Sequence, residues 1–358
     1  MTISASVILV AAIAVFTPNF ASAEDQNQNK GKSQSQNSES GKQPELASTY
    51  DSKYWGTPSR DIANSSDQNE YQKGAPAIPG IEVATTEVFS TFPGKKAALA
   101  VPLGSGDLID HGGQVLNEIH IYPIFWGPTS TTFSATYKQK IVEFFTNLQC
   151  GAGTSVSVCT GHSDLIKQYF RTPALKSASP IIKLGGVFND LSNPPSSSPS
   201  TSTIIAEAAK VVKAMPGAVL DPLGFYMVFT SNYPARVNFC AWHSAGSYKA
   251  SSTSTAIWYT AAYMPYVGTV SGCSSSSIPG WNGFINGQAV DSVVNVSTHE
   301  LYETMSDSLL NNKYAWYDSK GYENGDKCAW YFGSTIGGYR VQSEYDNYSH
   351  TCPDKSSN

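Results

Sequence analysis

Hydrophobic and polar positions change their spacing abruptly in the stretch that opens the folded part of the chain. In EIHIYPIFWG, residues 118–127, apolar and polar positions largely alternate, and the residues are β-branched or aromatic, which predicts a strand. In SATYKQKIVEFFTNLQC, residues 134–150, apolar positions recur every three or four residues, which predicts a helix with one buried face. The positions on that face are Tyr137, Ile141, Phe144, Phe145 and Leu148.

The same alternation of elements continues downstream. Residues 180–190 and 224–231 read as strands, and residues 203–215 read as a helix that ends at Pro216. Residues 163–172 are compatible with a short helix or a strand. Strands and helices that alternate along a chain predict the α/β class, with α+β as the alternative.

A further helix is predicted over residues 289–307, AVDSVVNVSTHELYETMSD, with Asp291 or Ser292 as its N-cap. Its apolar positions Val294, Leu301 and Met305 are expected to face a core. The site chemistry of the chain is concentrated on this helix.

The pentapeptide HELYE within this helix differs from the HExxH motif of zinc hydrolases only in its last residue. His299 and Glu303 are four residues apart and project from one helix face, and Zn²⁺ accepts both imidazole nitrogen and carboxylate oxygen. Glu300 has the position of the general base that deprotonates metal-bound water. The pattern therefore predicts a variant metal site with Glu300 as the catalytic residue.

A third metal ligand is expected downstream, from Glu323 or Asp326. Asp307 could share the helix face if the helix continues, and Asp318 is a further accessory candidate. Zn²⁺ is the expected ion, but a carboxylate-rich ligand set could also favour Ca²⁺ or Mn²⁺. Acidic residues in loops rich in Tyr, Asn and Gly are also common as solvated turns, and this alternative stays open.

The N-terminus has the pattern of a signal peptide over residues 1–23. An apolar run from Val7 to Phe16 precedes small residues that end at Ala23, and it is about half the length of a membrane span, so we expect no permanent membrane anchor. Residues 24–100 are polar and interrupted by Pro, which predicts a disordered or low-complexity tail, a surface strap or a propeptide. The folded domain is expected over residues 101–358.

Secretion would place the six cysteines in an oxidising compartment, so three disulfides are expected. Pairing of sequential neighbours predicts Cys150–Cys159, Cys240–Cys273 and Cys328–Cys352. The formal net charge of −5 gives no basic footprint for nucleic acid, which we do not expect as a partner.

The histidines outside the motif have ordinary structural interpretations. His243, in CAWHSAG, could be a transition-state donor near the site, but a loop histidine held by the Cys240 disulfide is the favoured interpretation. His162 and His350 are expected at the surface. The glycosylation sequon at Asn295 lies in the predicted site helix and is expected to be unused.

Several blocks resemble the EXORDIUM or phosphate-induced protein family. They are DHGGQVLNEIHIYPIFWG, KQKIVEFFTNL, NFCAWHSAG and YVGTVSGC. Microbial relatives of that family keep a longer block around the HExxE pattern, which this chain matches at His299, Glu300, Glu303, Asp307, Trp316, Tyr317, Asp318, Gly321, Glu323, Asp326, Lys327, Cys328 and Trp330. The resemblance, over roughly residues 103–352, implies a single zincin-like domain with a mixed sheet, an active-site helix and disulfide-tied loops.

Two functions are therefore expected from the sequence. The first is a secreted metal-dependent hydrolase, a zinc metallopeptidase-like protein that acts on an extracellular protein, peptide or cell-wall substrate. The alternative, which follows from the resemblance, is a non-catalytic extracellular protein at the cell wall or cell surface with a structural or vestigial metal site.

Overall fold

The strand expected at residues 118–127 lies inside a mixed sheet, as the computed structural model of the protein shows. The described residues are 81–83, 87–90, 106–129, 132–148, 162–191, 194–213, 221–235, 237, 239–249, 253–274, 283–310 and 313–353. The predicted signal peptide and the predicted pair Cys150–Cys159 lie outside them.

Twelve strands and five α-helices are labelled here in chain order. The strands are β1 (Ile81–Val83), β2 (Glu87–Ser90), β3 (Ile109–Asp110), β4 (Glu118–Trp126), β5 (Ile181–Leu184), β6 (Phe188–Asp190), β7 (Gly224–Thr230), β8 (Phe239–Tyr248), β9 (Ile257–Met264), β10 (Trp316–Tyr317), β11 (Phe332–Ile336) and β12 (Tyr339–Gln342). The helices are α1 (Ala135–Asn147), α2 (Pro173–Lys176), α3 (Thr201–Lys213), α4 (Gln288–Ser306) and α5 (Asn324–Lys327), and a 3-10 helix spans His162–Tyr169.

The main sheet has the strand order β1-β8-β9-β7-β4-β5, with β2 also paired to β8 and β6 also paired to β4. Strands β5, β6, β7 and β9 continue the parallel part around β4, whereas β8 runs antiparallel to β9. Strands β1 and β2 pair antiparallel with β8 on its other side. The mixed α/β class expected from the sequence is confirmed.

Both faces of this sheet are covered, as the continuous apolar pattern of β7 requires. Phe225, Met227 and Phe229 of β7 belong to the core that includes apolar residues of α1 and α4. Tyr226 and Val228 point to the opposite core, which contains apolar residues of α3. The core positions predicted for α1 are all buried.

Two local predictions need correction. Residues 180–190 form two strands instead of one, with the break at Gly185 and Gly186. The Tyr122 ring lies against Gly185, where an added Cβ would come within 2.3 Å of the ring. His162 is only 5% exposed, since the 3-10 helix turns it inward and its Nε2 lies 2.7 Å from the Gln342 carbonyl oxygen. The surface position expected for His350 is confirmed.

Two disulfides are present, Cys240–Cys273 and Cys328–Cys352, as predicted. The sheet also extends upstream of residue 101, since β1 and β2 come from the segment expected to be a tail, strap or propeptide. Within the described part of the chain, none of the helices combines the length and the apolar character that a membrane crossing requires.

Candidate metal site on helix α4

Helix α4 begins three residues before the predicted cap. Its N-cap is Gly287, whose φ of 92° is accessible to glycine without strain. Asp291 lies inside the first turn, and its carboxylate accepts hydrogen bonds from the backbone N–H groups of Ile285 (2.7 Å) and Asn286. The predicted N-cap at Asp291 or Ser292 is therefore wrong, because Asp291 bonds backwards to the preceding loop.

The other end of α4 is Ser306. The Asp307 N–H donates the last helical hydrogen bond, to the Glu303 carbonyl at 2.6 Å, but Asp307 itself adopts φ −143°, so the helix does not continue through it. Asp307 would share the helix face of His299 only if the helix continued, so it does not share that face. Asp307 is nevertheless fully buried.

His299, Glu303 and Asp326 bring one ligand atom each into a common space. The Nε2 of His299 lies 2.9 Å from Oε1 of Glu303 and 3.8 Å from Oδ1 of Asp326. His299 is fully buried and Glu303 is 1% exposed, whereas the Asp326 side chain is 15% exposed. Two of these residues come from one face of α4, and the third comes from the short helix α5.

Gly325 allows α5 to approach α4 this closely. A Cβ at position 325 would lie 2.8 Å from His299 Nδ1 and 3.0 Å from Glu303 Oε1, closer than side-chain atoms pack. The Asp326 N–H also donates to Glu303 Oε1 at 3.0 Å. The disulfide Cys328–Cys352 ties down the residue that follows α5.

The predicted base Glu300 lies with His243 instead of with His299. Oε2 of Glu300 is 3.0 Å from Nδ1 of His243, and Oε2 of Glu303 is 3.8 Å from the same nitrogen. His243 is fully buried in strand β8, so its favoured interpretation as a loop histidine is wrong. The alternation of β8 turns Ala241, His243 and Ala245 toward the α4 side of the sheet.

Burial controls the protonation of these groups. It lowers the pKa of His299 to about 4 and that of His243 to about 3, so both rings are neutral near pH 7. Burial, and then the charge of Asp326, raises the pKa of Glu303 well above its ordinary value. Burial and the nearby Glu303 raise the pKa of Glu344 in the same direction.

Gln342 of β12 orients the His299 ring. Its Nε2 donates to the Gly325 carbonyl at 2.8 Å and lies 2.9 Å from His299 Nδ1, which places the imidazole proton on Nε2, facing Glu303. A cation on Nε2 would move that proton to Nδ1, which then needs an acceptor such as the Gln342 amide oxygen. The ligand atoms thus fit a cation, provided that the Gln342 side-chain amide turns so that its oxygen, instead of its nitrogen, faces His299 Nδ1.

The remaining candidates lie outside the two groups of converging ligand atoms found among the described residues. Glu323 is the fully buried N-cap residue of α5. The Asp318 carboxylate accepts hydrogen bonds from Lys327 Nζ at 3.1 Å and from the N–H groups of Lys320 and Tyr322. Asp318 therefore stabilises a turn, as the alternative of an acidic turn expects. Its own side chain is buried, whereas Ser319 and Lys320 of the turn are exposed.

Sequence reasoning missed three polar residues around the site. Besides Gln342, these are Asn324, whose Nδ2 donates to Glu344 at 2.8 Å, and Glu344 itself. Asn295 was treated only as a sequon, yet it is 2% exposed and its Oδ1 accepts the Gln342 N–H at 2.7 Å. No motif indicates a role in the site for these residues, because that role depends on long-range contacts with β12 and the residues after it.

Comparison with known proteins identifies one distant relative. Over 290 residues the chain is 25% identical to Protein EXORDIUM-like 5 of Arabidopsis thaliana. The aligned region covers 73% of this chain and 76% of that protein. No family model matches the chain, and no solved structure matches it. This distant similarity supports a relation of the chain to the EXORDIUM family.

Proposed function

We propose that the protein is an extracellular, non-catalytic protein that holds a divalent cation in a closed site formed by His299, Glu303 and Asp326. The observation that carries the proposal is the burial of six carboxyl groups between residues 300 and 344. They are Glu300, Glu303, Asp307, Asp318, Glu323 and Glu344. Among the described residues, Lys327 is the only buried Lys or Arg, and it contacts Asp318.

Such an excess of buried acid is unfavourable without a counter-ion. Moving one carboxylate out of water costs several kcal/mol unless it is paired, hydrogen-bonded or protonated. The raised pKa of Glu303 reflects this cost. A divalent cation removes the cost directly, and imidazole nitrogen with two carboxylates suits Zn²⁺ or Mn²⁺.

The enclosure of the ligands favours a structural role over catalysis. Structural metal sites are closed, whereas catalytic sites combine three protein ligands with a position open to substrate. Three protein ligands leave a further position here as well, so the structural role depends on its being shielded from substrate by burial. Here Asp326 is the only one of the three ligands with appreciable exposure. A cation at this site would connect α4 to α5, and so would hold the disulfide-tied C-terminal segment against the core.

The second candidate function is a hydrolase, and the position of strand β2 favours it. This strand pairs antiparallel with β8 so that Glu87 is opposite His243, and it also lies near α4. An extended peptide substrate bound along β8 would occupy the same edge. A peptidase with Glu300 as its base would therefore require release of the segment that contains β2, as expected of a propeptide.

One experiment separates the two candidates. The metal content of the full chain, purified without chelator, is measured together with release of amino groups from an unfolded protein substrate. The substrate is also offered to a chain lacking residues 24–100, with Glu300→Gln as its control. We expect bound cation and no hydrolysis. Hydrolysis that Glu300→Gln abolishes would establish the peptidase, and a chain that takes up no cation would overturn both functions.

A further inference from the structure

A second set of ligand atoms lies on the other side of Glu303. Oε1 of this carboxylate faces His299 at 2.9 Å, and Oε2 faces His243 at 3.8 Å. Glu300 completes the second set, with its Oε2 at 3.0 Å from His243 Nδ1. The ligand atoms of His243, Glu300 and Glu303 lie within 4.8 Å of one another, and all three residues are buried.

The imidazole of His243 is oriented for a cation. Its two ring nitrogens both face acceptors, since Nε2 lies 3.3 Å from the backbone carbonyl oxygen of Asp307 and Nδ1 faces Glu300, and a neutral ring has only one proton for them. With that proton on Nε2, the hydrogen bond to Asp307 forms. Nδ1 then directs its lone pair at the two carboxylates. A ring N–H bonded to a backbone carbonyl is also the usual support of a metal-ligating histidine.

The contact between His243 and Glu300 needs a positive centre. A nitrogen lone pair and a carboxylate oxygen at 3.0 Å are both acceptors, and they repel each other unless a proton or a cation lies between them. Solvent does not screen this contact, because both side chains are fully buried. The excess of carboxylates around α4 adds to the demand for positive charge.

We infer that His243, Glu300 and Glu303 form a second site for a divalent cation, and that Glu303 bridges the two sites. The inference rests on the proposed function only through Glu303, which belongs to both sites. His243 and Glu300 are not ligands of the proposed His299 site. Nitrogen and carboxylate donors suit Mn²⁺, Zn²⁺ or Fe²⁺. Ions that share one carboxylate in paired sites are typically about 3.5–4 Å apart. Glu300 is then a metal ligand and not a free base.

Mn²⁺ tests this inference on the full chain. The metal-free protein is titrated with Mn²⁺, and bound ions are counted by equilibrium dialysis while electron paramagnetic resonance reports on their coupling. We expect two ions per chain with an exchange-coupled spectrum. His243→Gln and His299→Gln should each bind one ion with the six-line spectrum of isolated Mn²⁺, while His120→Gln, remote from the site, should match the parent chain.

The His243 and His299 variants test the two proposed sites separately. If His243→Gln binds as many ions as the parent chain, the second site is wrong. If His299→Gln does so, the proposed His299 site is wrong while the second one stands. A parent chain that binds one ion and loses it in His299→Gln alone also overturns the second site. Near-ultraviolet circular dichroism of each metal-free variant shows whether a lost ion reflects lost folding, and Glu300→Gln then provides a second variant of the same site.

Discussion

Two regions of the protein place histidine between carboxylates, with opposite electrostatic outcomes. At the start of β4, His120 contacts Asp221 through Nδ1 at 2.5 Å and Glu118 through Nε2 at 3.0 Å. Lys183 donates to Glu118, and Tyr122 donates to Asp221 at 2.9 Å. The Lys183 ammonium, followed by His120, lowers the pKa of Glu118.

The α4 cluster also combines histidine with carboxylates, but in a different environment. His120 is about one-fifth exposed, at 21%, whereas the side chains of His243 and His299 are fully buried. The pKa of Glu303 is raised where that of Glu118 is lowered. Water and a lysine satisfy the first cluster, and the second requires protons or cations. Burial and the lysine partner together therefore distinguish the surface ion-pair network from the candidate metal site.

The largest expected difference between the two regions follows from removal of one carboxylate in each. Glu303→Gln should abolish stabilisation by added Zn²⁺ or Mn²⁺, because Glu303 belongs to both groups of ligands. Saturating cation should raise the melting temperature of the parent chain by roughly 10 °C. Asp221→Asn should keep that increase. Differential scanning calorimetry with and without chelator measures both, and an equal increase in Glu303→Gln would contradict the comparison.

A smaller effect is expected from a methyl group at each of two crowded glycines. Gly325→Ala places a Cβ within 3.0 Å of two ligand residues and should weaken cation binding by roughly tenfold or more, as overpacking costs about 1–3 kcal/mol. Gly127→Ala is the matched control, since the nearest atoms to its Cβ would belong to the Thr132 side chain, at 2.8 Å. Titration calorimetry should show weaker binding for Gly325→Ala alone. Equal binding by the two variants would remove α5 from the site.

The smallest expected effect is a dependence of stability on pH. Well above pH 6.5, the ordinary pKa of histidine, His243 and His299 are neutral in both the folded and the unfolded chain, so the carboxyl groups with raised pKa, Glu207, Glu303 and Glu344, shift the proton balance. The folded chain then holds protons that the unfolded chain releases, and the free energy of unfolding of the metal-free protein should fall as the pH rises.

At pH values between the ordinary pKa values of Glu and His, this fall in stability is offset by His243 and His299. The pKa values of about 3 and 4 for His243 and His299 mean that the unfolded chain binds more protons at these residues, so their contribution to stability rises with pH. Cation binding displaces the proton of Glu303, so the cation-induced rise in melting temperature should grow from pH 5 to pH 8. A metal-free melting temperature that rises steadily above pH 6.5 would contradict this assignment.

Much of the local structure could be predicted from spacing alone. The apolar period of α1 identified its buried face, and the i, i+4 spacing placed His299 beside Glu303, because helical geometry depends only on near neighbours. The two described disulfides were predicted from the order of the cysteines. Asp291 was misplaced, since its backbone partners in the preceding loop are not encoded in helix periodicity.

The identity of the other site residues depended on long-range contacts. His243 is separated from Glu300 by 57 residues and Gln342 from His299 by 43, so no local pattern relates them. The selection of Asp326 over Glu323 depends on the path of α5, which Gly325 brings against α4. Such choices follow from packing and cannot be derived from spacing.

The sequence by itself determined which residue types are available to bind a cation and which helix presents two of them, because both follow from chemical identity and helical period. The tertiary structure alone decided that Glu300 faces His243, that Glu303 lies between two histidines and that water is excluded from both. Desolvation is a property of the folded core, and it is the physical basis on which a cation is proposed for this group of carboxylates.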